Sequence, residues 1–393
     1  MSYPVIRINE GHDRRLRNGS PWLYSNELQI DKAAKALPPG SVVRLASHDG
    51  RALALAHFNP HSLIAARILT RNTDGLIDQD FLLRRCRRAL ELRELLYATP
   101  HYRLVHGEAD GLPGLVIDRF GDTLVVQLNS AGMDGLAAEI IGALSELLGS
   151  VDIHLRKDAP VRLLEGLTQE EEPVAEMSAA LSTIENGLSF AIDTAGGQKT
   201  GWYFDQRENR AFAASLAKDA SVLDLYSYAG GFGLTALASG ARELVCVDRS
   251  EAALALATAS AALQGVEAKM QVRVSDAFAA LDELAAEKRR FGLVLADPPP
   301  FARSRKDLPQ ALKAYRKVAR GSALLVAPGA FLCLSCCSHN VPEEDFAREC
   351  YAGIRSAGRS GTLIRSAGAA ADHPIHPALP ESAYLKFLAY RLD

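Results

Sequence analysis

Three acids and one thiol stand at or just past the ends of short apolar runs: Asp248, Asp276, Asp297 and Cys337. A carboxylate at the position of Asp248 can accept both hydroxyls of a ribose. One at Asp276 can accept from an adenine amino group, although Asp also caps helix N-termini well. Asp297 opens Asp297-Pro-Pro-Pro-Phe301. Three prolines make a rigid loop poor in N–H donors, which leaves the acid and the backbone carbonyls as acceptors. A flipped base with an exocyclic amine needs such acceptors, and Phe301 would give it a stacking face. Cys337 is a candidate nucleophile. Against that stand an inert buried thiol and, more weakly, a zinc set of Cys333, Cys336, Cys337 and His339. The sequence places no lysine or histidine beside the thiol.

A glycine-rich turn, Tyr226-Ser-Tyr-Ala-Gly-Gly-Phe-Gly233, follows another apolar run. Glycines let the backbone approach a ligand, and the helix after them offers free N–H groups. Position 236 is Ala, so the full dinucleotide fingerprint is missing. Turn plus acid alone does not separate a dinucleotide from S-adenosylmethionine; Asp276 favours the latter. Upstream, Gly196–Arg210 is polar, glycine-rich and dense in donors and acceptors, a loop running into a helix where a ligand clamp could sit.

The elements that must position these residues are strands and helices in alternation. Strands are predicted at Ser221–Leu225, Glu243–Asp248, Met270–Val274, Phe291–Ala296 and from Phe331, with helices from Gly233 and over Glu251–Gln264. Such alternation gives βαβ units and a mostly parallel, doubly wound sheet. Ligands then sit beyond the carboxyl ends of the strands, where the named residues fall. Upstream the pattern differs. Asp49-Gly50 between two apolar runs predicts a hairpin. An amphipathic helix is predicted over Asp80–Leu96, with Phe81, Leu82, Cys86, Leu90 and Leu95 on one side. A hairpin is predicted at Gly114–Leu128, and a second helix near Met133–Leu148.

The chain has 393 residues, 48% hydrophobic and 23% charged, which excludes a disordered chain. Its net charge is −3, spread unevenly: +5 over residues 1–72, −10 over 73–186 and +2 over 187–393. Three domains with these bounds are expected, and the basic head could touch polyanions. Six cysteines without framework spacing suit a reducing compartment. The charged N-terminus lacks a signal-peptide pattern. Gly321–Pro342 is charge-free, but Pro328-Gly329 interrupts it, so a helix end, turn and strand are expected rather than a membrane span. The expected protein is soluble and cytoplasmic, with no membrane partner.

Together these residues resemble a known family: S-adenosylmethionine-dependent cytosine-C5 methyltransferases of large-subunit ribosomal RNA with an N-terminal PUA domain. The resemblance spans nearly the whole chain. Arg14–Ser25 is similar to the family's opening and Tyr102–Asp118 to its central domain. Further matches are Gly197–Gly201 with Asp205–Arg210, Tyr226–Phe232, Asp297-Pro-Pro, Ser338-His339, Asp372-His-Pro374 and Tyr384-Leu-Lys386. The implied fold is α/β: a class I, Rossmann-like methyltransferase domain, whose seven-stranded sheet ends with one antiparallel strand, plus a PUA-like β-barrel and a small central α+β domain.

The resemblance implies S-adenosylmethionine as cofactor and no metal. It implies that Gln198, Thr200, Gly201, Asp205 and Arg207 close over the ligands. Tyr226, Ser227, Tyr228, Gly230, Gly231, Asp248, Asp276, Ala277 and Asp297 would hold the cofactor. Asp297 would also hold the base, and the partner is large-subunit rRNA. The family's cysteine sits in Ser-Cys-Ser, whereas this chain has Ser335-Cys-Cys-Ser338. The fit on both sides favours Cys337, with Cys336 in reserve; strand neighbours face opposite ways, so only one can enter the cleft. The rival readings are a methyltransferase acting on a guanine or adenine nitrogen, a nicotinamide-dependent oxidoreductase and an inactive RNA-binding assembly factor. A monomer and a homodimer are both compatible with the sequence.

Overall fold

The computed structural model describes residues 3–169, 181–193 and 201–393. The chain divides into two compact units, Met1–Ser178 with Ala371–Ser382 and Ala179–Ala370 with Ala383–Asp393.

The first unit opens with strands β1 (Val5–Arg7), β2 (Trp22–Leu23), β3 (Ser41–Ala46), β4 (Ala52–Phe58) and β5 (Ala66–Thr70), and short helices α1 (Arg14–Arg17) and α2 (Lys32–Lys35). The sheet order is β1-β3-β4-β5-β2, and β3 and β4 form the antiparallel pair expected around Gly50. Helix α3 (Gln79–Leu96) follows, capped by the Asp78 carboxylate, which accepts from Phe81 N at 2.9 Å. Its buried stripe is Phe81, Leu82, Cys86, Leu90 and Arg93, while Leu95 is 81% exposed. Five residues beyond Leu90 the helix has turned Leu95 outward. Arg93 takes the inner position because it forms a two-point ion pair with Asp110 at 2.7 and 2.8 Å.

A second sheet, ordered β6-β7-β8-β9, contains β6 (His101–His106), β7 (Leu115–Phe120), β8 (Thr123–Leu128) and β9 (Asp152–Arg156). The single helix expected near Met133–Leu148 is two, α4 (Ala131–Asp134) and α5 (Ala137–Leu148). The Ser130 hydroxyl caps the first, accepting from Met133 N, and Arg162 binds Asp134 just where it ends. The excursion at Ala371–Ser382 belongs to this unit because Arg93 donates to the Asp372 carbonyl and the Asp372 carboxylate accepts from Arg103 N, both at 3.0 Å.

The second unit begins with the hairpin β10 (Leu181–Glu185) and β11 (Leu188–Ile192), so a break after residue 186 would fall in its turn. Helix α6 (Arg207–Ser215) leads into the main sheet. That sheet comprises β12 (Ser221–Leu225), β13 (Glu243–Asp248), β14 (Met270–Val274), β15 (Phe291–Ala296), β16 (Val326–Cys336), β17 (Gly361–Ala367) and β18 (Lys386–Leu392). Between them lie α7 (Gly231–Ala238), α8 (Glu251–Gln264), α9 (Ala277–Ala286), α10 (Leu308–Leu325) and α11 (Glu343–Ser356). The order is β14-β13-β12-β15-β16-β18-β17. The last strand in the chain, β18, runs antiparallel to both its neighbours. Strands β12, β13, β15 and the Ala330–Cys336 stretch of β16 are largely buried on both faces, as their mostly apolar sequences require.

Pro328-Gly329 does not make the expected turn. α10 passes directly into β16, and the irregularity is absorbed as a register shift against β15, with Gly329 at φ 75°. Among the described residues no helix is long and apolar enough to cross a membrane.

Candidate active site

The carboxyl ends of the second unit's parallel strands surround a cavity of about 490 Å³. The turn after β12 forms one wall under strain. Tyr226 and Tyr228 hold φ 60° and 48°, a left-handed conformation that bulky residues rarely adopt, and Gly230 follows at 78°. Hydrogen bonds fix the turn. The Asp248 carboxylate accepts from Tyr228 N at 3.0 Å and from Ser250 N at 2.9 Å, and Ser227 N donates to the Val247 carbonyl at 3.1 Å. A Cβ on Gly231 would lie 2.7 Å from Arg210 Nε, so only glycine lets the two segments approach.

Of the residues named from sequence, Asp205, Tyr226, Ser227, Tyr228, Gly231, Asp248, Ala277, Asp297 and Cys337 line the cavity. Gly201, Arg207, Gly230 and Asp276 do not line it. Arg207 is buried against Glu185 and the Phe204 ring. One Asp276 oxygen caps α9, accepting from Phe278 N at 2.9 Å, and its neighbours Ser275 and Ala277 reach the cavity instead. Gln198 and Thr200 lie outside the described residues. Phe301 packs on Tyr315, ring centroids 4.8 Å apart, and offers no face to the cavity.

Several lining residues were not singled out from the sequence. Asp224, in the middle of β12, accepts from Gly233 N at 2.8 Å and so fixes the first turn of α7. An acid inside an otherwise apolar strand was the available signal. Glu185 of β10 is buried and accepts from Trp202 Nε1 and from Arg210 Nη1, both at 2.8 Å. The small hairpin thereby holds Trp202 and Arg210 in the cavity wall, and Arg210 lies 4.5 Å above the Trp202 ring.

Two acids in the cavity are held toward their neutral forms. Burial pushes Asp224 up to about 7; the Gly233 N–H opposes this, and Asp297 and Asp248 reinforce it. Burial also pushes Asp297 up to about 6, with the Asp205 carboxylate adding to the effect. Asp297 accepts from Gln206 Nε2 at 3.0 Å, and the Tyr384 hydroxyl donates to Asp205 at 2.5 Å.

The two adjacent cysteines part company at the end of β16. Cys336 is fully buried in the sheet's core, and burial raises its thiol. Cys337 is the one cysteine of six that is not buried, and it lines the cavity with its Sγ 3.8 Å from the Pro298 carbonyl. The turn beyond it is pinned by Ser338 Oγ, which donates to the Ala302 carbonyl at 2.7 Å.

A PUA-like domain model matches residues 6–71, and an S-adenosylmethionine-dependent methyltransferase model matches residues 168–390, more than half the chain. The chain belongs to the S-adenosylmethionine-dependent methyltransferases. Its curated relatives include proteins named ribosomal RNA large subunit methyltransferase I. The one from Tolumonas auensis is 36% identical over 98% of this chain and 99% of its own, and that from Klebsiella pneumoniae strain 342 is 34% identical over 99% and 98%. Among solved structures, a methyltransferase complexed with SAH superposes with a TM-score of 0.83 at 20% identity, covering both chains completely. A SAM-dependent methyltransferase from Streptococcus mutans gives 0.81 at 20% identity, covering 99% of this chain and 100% of its own. These two share the fold. The cofactor of this methyltransferase is S-adenosylmethionine, and the cavity fits it. Asp248 presents a carboxylate at the cavity wall, the acceptor that a ribose needs, and Gly231 leaves room for close backbone approach. The buried Tyr226 hydroxyl has no hydrogen-bond partner among the described residues.

Proposed function

We propose that this methyltransferase forms 5-methylcytosine in large-subunit rRNA through a covalent bond between Cys337 and carbon-6 of the base. The observation that carries the reading is that Cys337, the one cysteine not buried, lines the same cavity as Asp297, with its sulfur 3.8 Å from the carbonyl of Pro298. The relatives' names support rRNA as substrate, and the PUA-like domain supports RNA contact through the basic head. The reading gives residues 1–72 to RNA, the residues that follow them in the first unit to a middle domain, and the unit that opens with the β10–β11 hairpin to catalysis, in a cytoplasmic enzyme.

Carbon-5 of cytosine is a poor nucleophile. Addition of the Cys337 thiolate to carbon-6 breaks the 5,6 double bond and makes carbon-5 electron-rich. S-adenosylmethionine, when bound, supplies the methyl group as an electrophile and leaves as S-adenosylhomocysteine. Transfer of the carbon-5 proton to water then re-forms the double bond, and the carbon-6–sulfur bond breaks to expel the thiolate. Asp297, with its pKa raised to about 6, serves the base edge in either form. It accepts from the amino group when ionised and donates to ring N3 when protonated. Asp248, Ser227, Tyr228 and Gly231 hold the cofactor, and Asp205, Gln206 and Tyr203 fill the wall nearest Asp297. The base must be unstacked for carbon-6 to meet a thiol.

RNA carrying 5-fluorocytosine tests this, because fluorine cannot leave as a proton would. The enzyme should form a denaturant-stable adduct with it that requires S-adenosylmethionine. Cys337→Ala should abolish adduct and turnover, and Cys336→Ala should keep much of both. Loss of trapping in Cys336→Ala alone would move the nucleophile by one residue. Continued methylation by both variants would replace the covalent reading with transfer to a base nitrogen.

A further inference from the structure

Lys386 is an unusual place for a cation. It is 7% exposed at the start of β18, directly opposite Cys336 in the antiparallel register with β16. Its Nζ donates to the carbonyl of Ser338 at 2.7 Å and to that of Tyr384 at 3.0 Å. Among the described residues no carboxylate lies within ion-pair distance of it. A buried ammonium held only by neutral carbonyls is costly unless an anion stands nearby. Burial pushes the Lys386 ammonium down from its ordinary value, and the groups that oppose this and favour its charged form are Cys336, Cys337 and Glu343. Cys336 is sealed in the core, so the sulfur that can ionise at the cavity is Cys337, one residue before the carbonyl that Lys386 grips.

We propose that Lys386 is a positioning residue whose buried ammonium stabilises the Cys337 thiolate, while its grip on the Ser338 carbonyl sets the direction of the thiol. The proton of the thiol leaves to solvent, the sulfur keeps the electron pair, and Nζ stays protonated throughout. Of the described groups around the sulfur, the tyrosines and the acids do not supply this charge. Tyr203 from the loop before α6 and Tyr315 from α10 are both held neutral by burial. Asp297 after β15 carries negative charge above about pH 6 and opposes thiolate formation, as Asp205 behind it does. Glu343 of α11 also favours the charged form of Lys386. Arg210 in the cavity wall offsets Asp297 but is itself paired with Glu185; among the described residues Lys386 is the cation that holds the thiol's own turn.

The proposal rests on the reading of Cys337 as nucleophile, but its test does not need RNA. In a Cys336→Ala background, the pH dependence of Cys337 alkylation by iodoacetamide is followed by mass spectrometry. In that reaction sulfur bonds to the acetamide carbon and iodide leaves. The apparent midpoint in the Lys386-containing protein should lie below the ordinary thiol value of about 8.5. Lys386→Met should raise it by about 1–2 pH units, and Lys386→Arg should restore part of the shift. Calorimetric binding of S-adenosylmethionine by each variant reports that the site is folded. A folded Lys386→Met protein with an unmoved midpoint overturns the proposal. If that variant does not fold, the thiolate absorbance of the Lys386-containing protein decides, and a midpoint at or above about 8.5 overturns it equally. A normal alkylation shift with no 5-fluorocytosine adduct would instead sink the cytosine-C5 reading and leave the Lys386–Cys337 pair standing.

Discussion

Replacing Asp224 by asparagine should make the second unit more stable than wild type at neutral pH and above, and this gain should vanish in acid. The carboxyl is 2% exposed, and burial pushes its pKa up to about 7 from 3.8. A gap of about three pH units corresponds to about 4 kcal/mol. The folded site favours the protonated form, so folding takes up a proton between about pH 4 and 7. The unfolded chain binds fewer protons in that window, and stability therefore falls as pH rises through it. The carboxamide of Asp224→Asn would keep an oxygen for the Gly233 N–H, which Asp224 now accepts at 2.8 Å, and would carry no charge at any pH. Coupling to Asp297 spreads the titration over both acids, so an advantage of about 2–4 kcal/mol at pH 8 relative to pH 4.5 is expected. Urea unfolding of the ligand-free protein can be read through Trp202, which is buried in this unit, with Trp22→Phe silencing the second tryptophan. A mutant-minus-wild-type difference that is flat with pH, or that shrinks as pH rises, would refute the argument.

Asp248→Ala removes the acceptor that Tyr228 N and Ser250 N now use, as well as the proposed ribose contacts. Calorimetry should show S-adenosylmethionine affinity reduced at least tenfold, on the order of 1.5–3 kcal/mol for each lost charged hydrogen bond; unchanged affinity would remove Asp248 from the site. Arg14 and Arg17 are exposed on α1 of the basic head. Reversing both to Glu should weaken rRNA binding and flatten its dependence on salt by roughly one unit of log–log slope per lost phosphate contact, with cofactor affinity unchanged. Equal salt slopes for the two proteins would take this helix out of the RNA interface.

The strand–helix alternation of the second unit was legible in the residue pattern alone, as were the strand ends at which Asp248, Asp297 and Cys337 stand. Apolar runs of five or six residues can be little else than buried parallel strands when helices alternate with them. The hairpin at Gly50 was legible too, because backbone at φ 91° favours glycine. Features that depend on contacts remote in the chain were settled by packing. Leu95 looked like part of a buried stripe, yet the inner position went to Arg93, because Asp110 waits there as its partner. Asp276 had equal claims as cap and as ligand, and one of its two carboxylate oxygens caps α9. Cys336 and Cys337 are chemically alike and adjacent; the packing of β16 between β15 and β18 buries the first and leaves the second at the cavity. Lys386 and Cys337 stand 49 positions apart in the chain. Only the antiparallel pairing of β18 on β16 sets that cation opposite Cys336 and on the Ser338 carbonyl, the two neighbours of that thiol, and spacing along a sequence carries no record of which strands will pair.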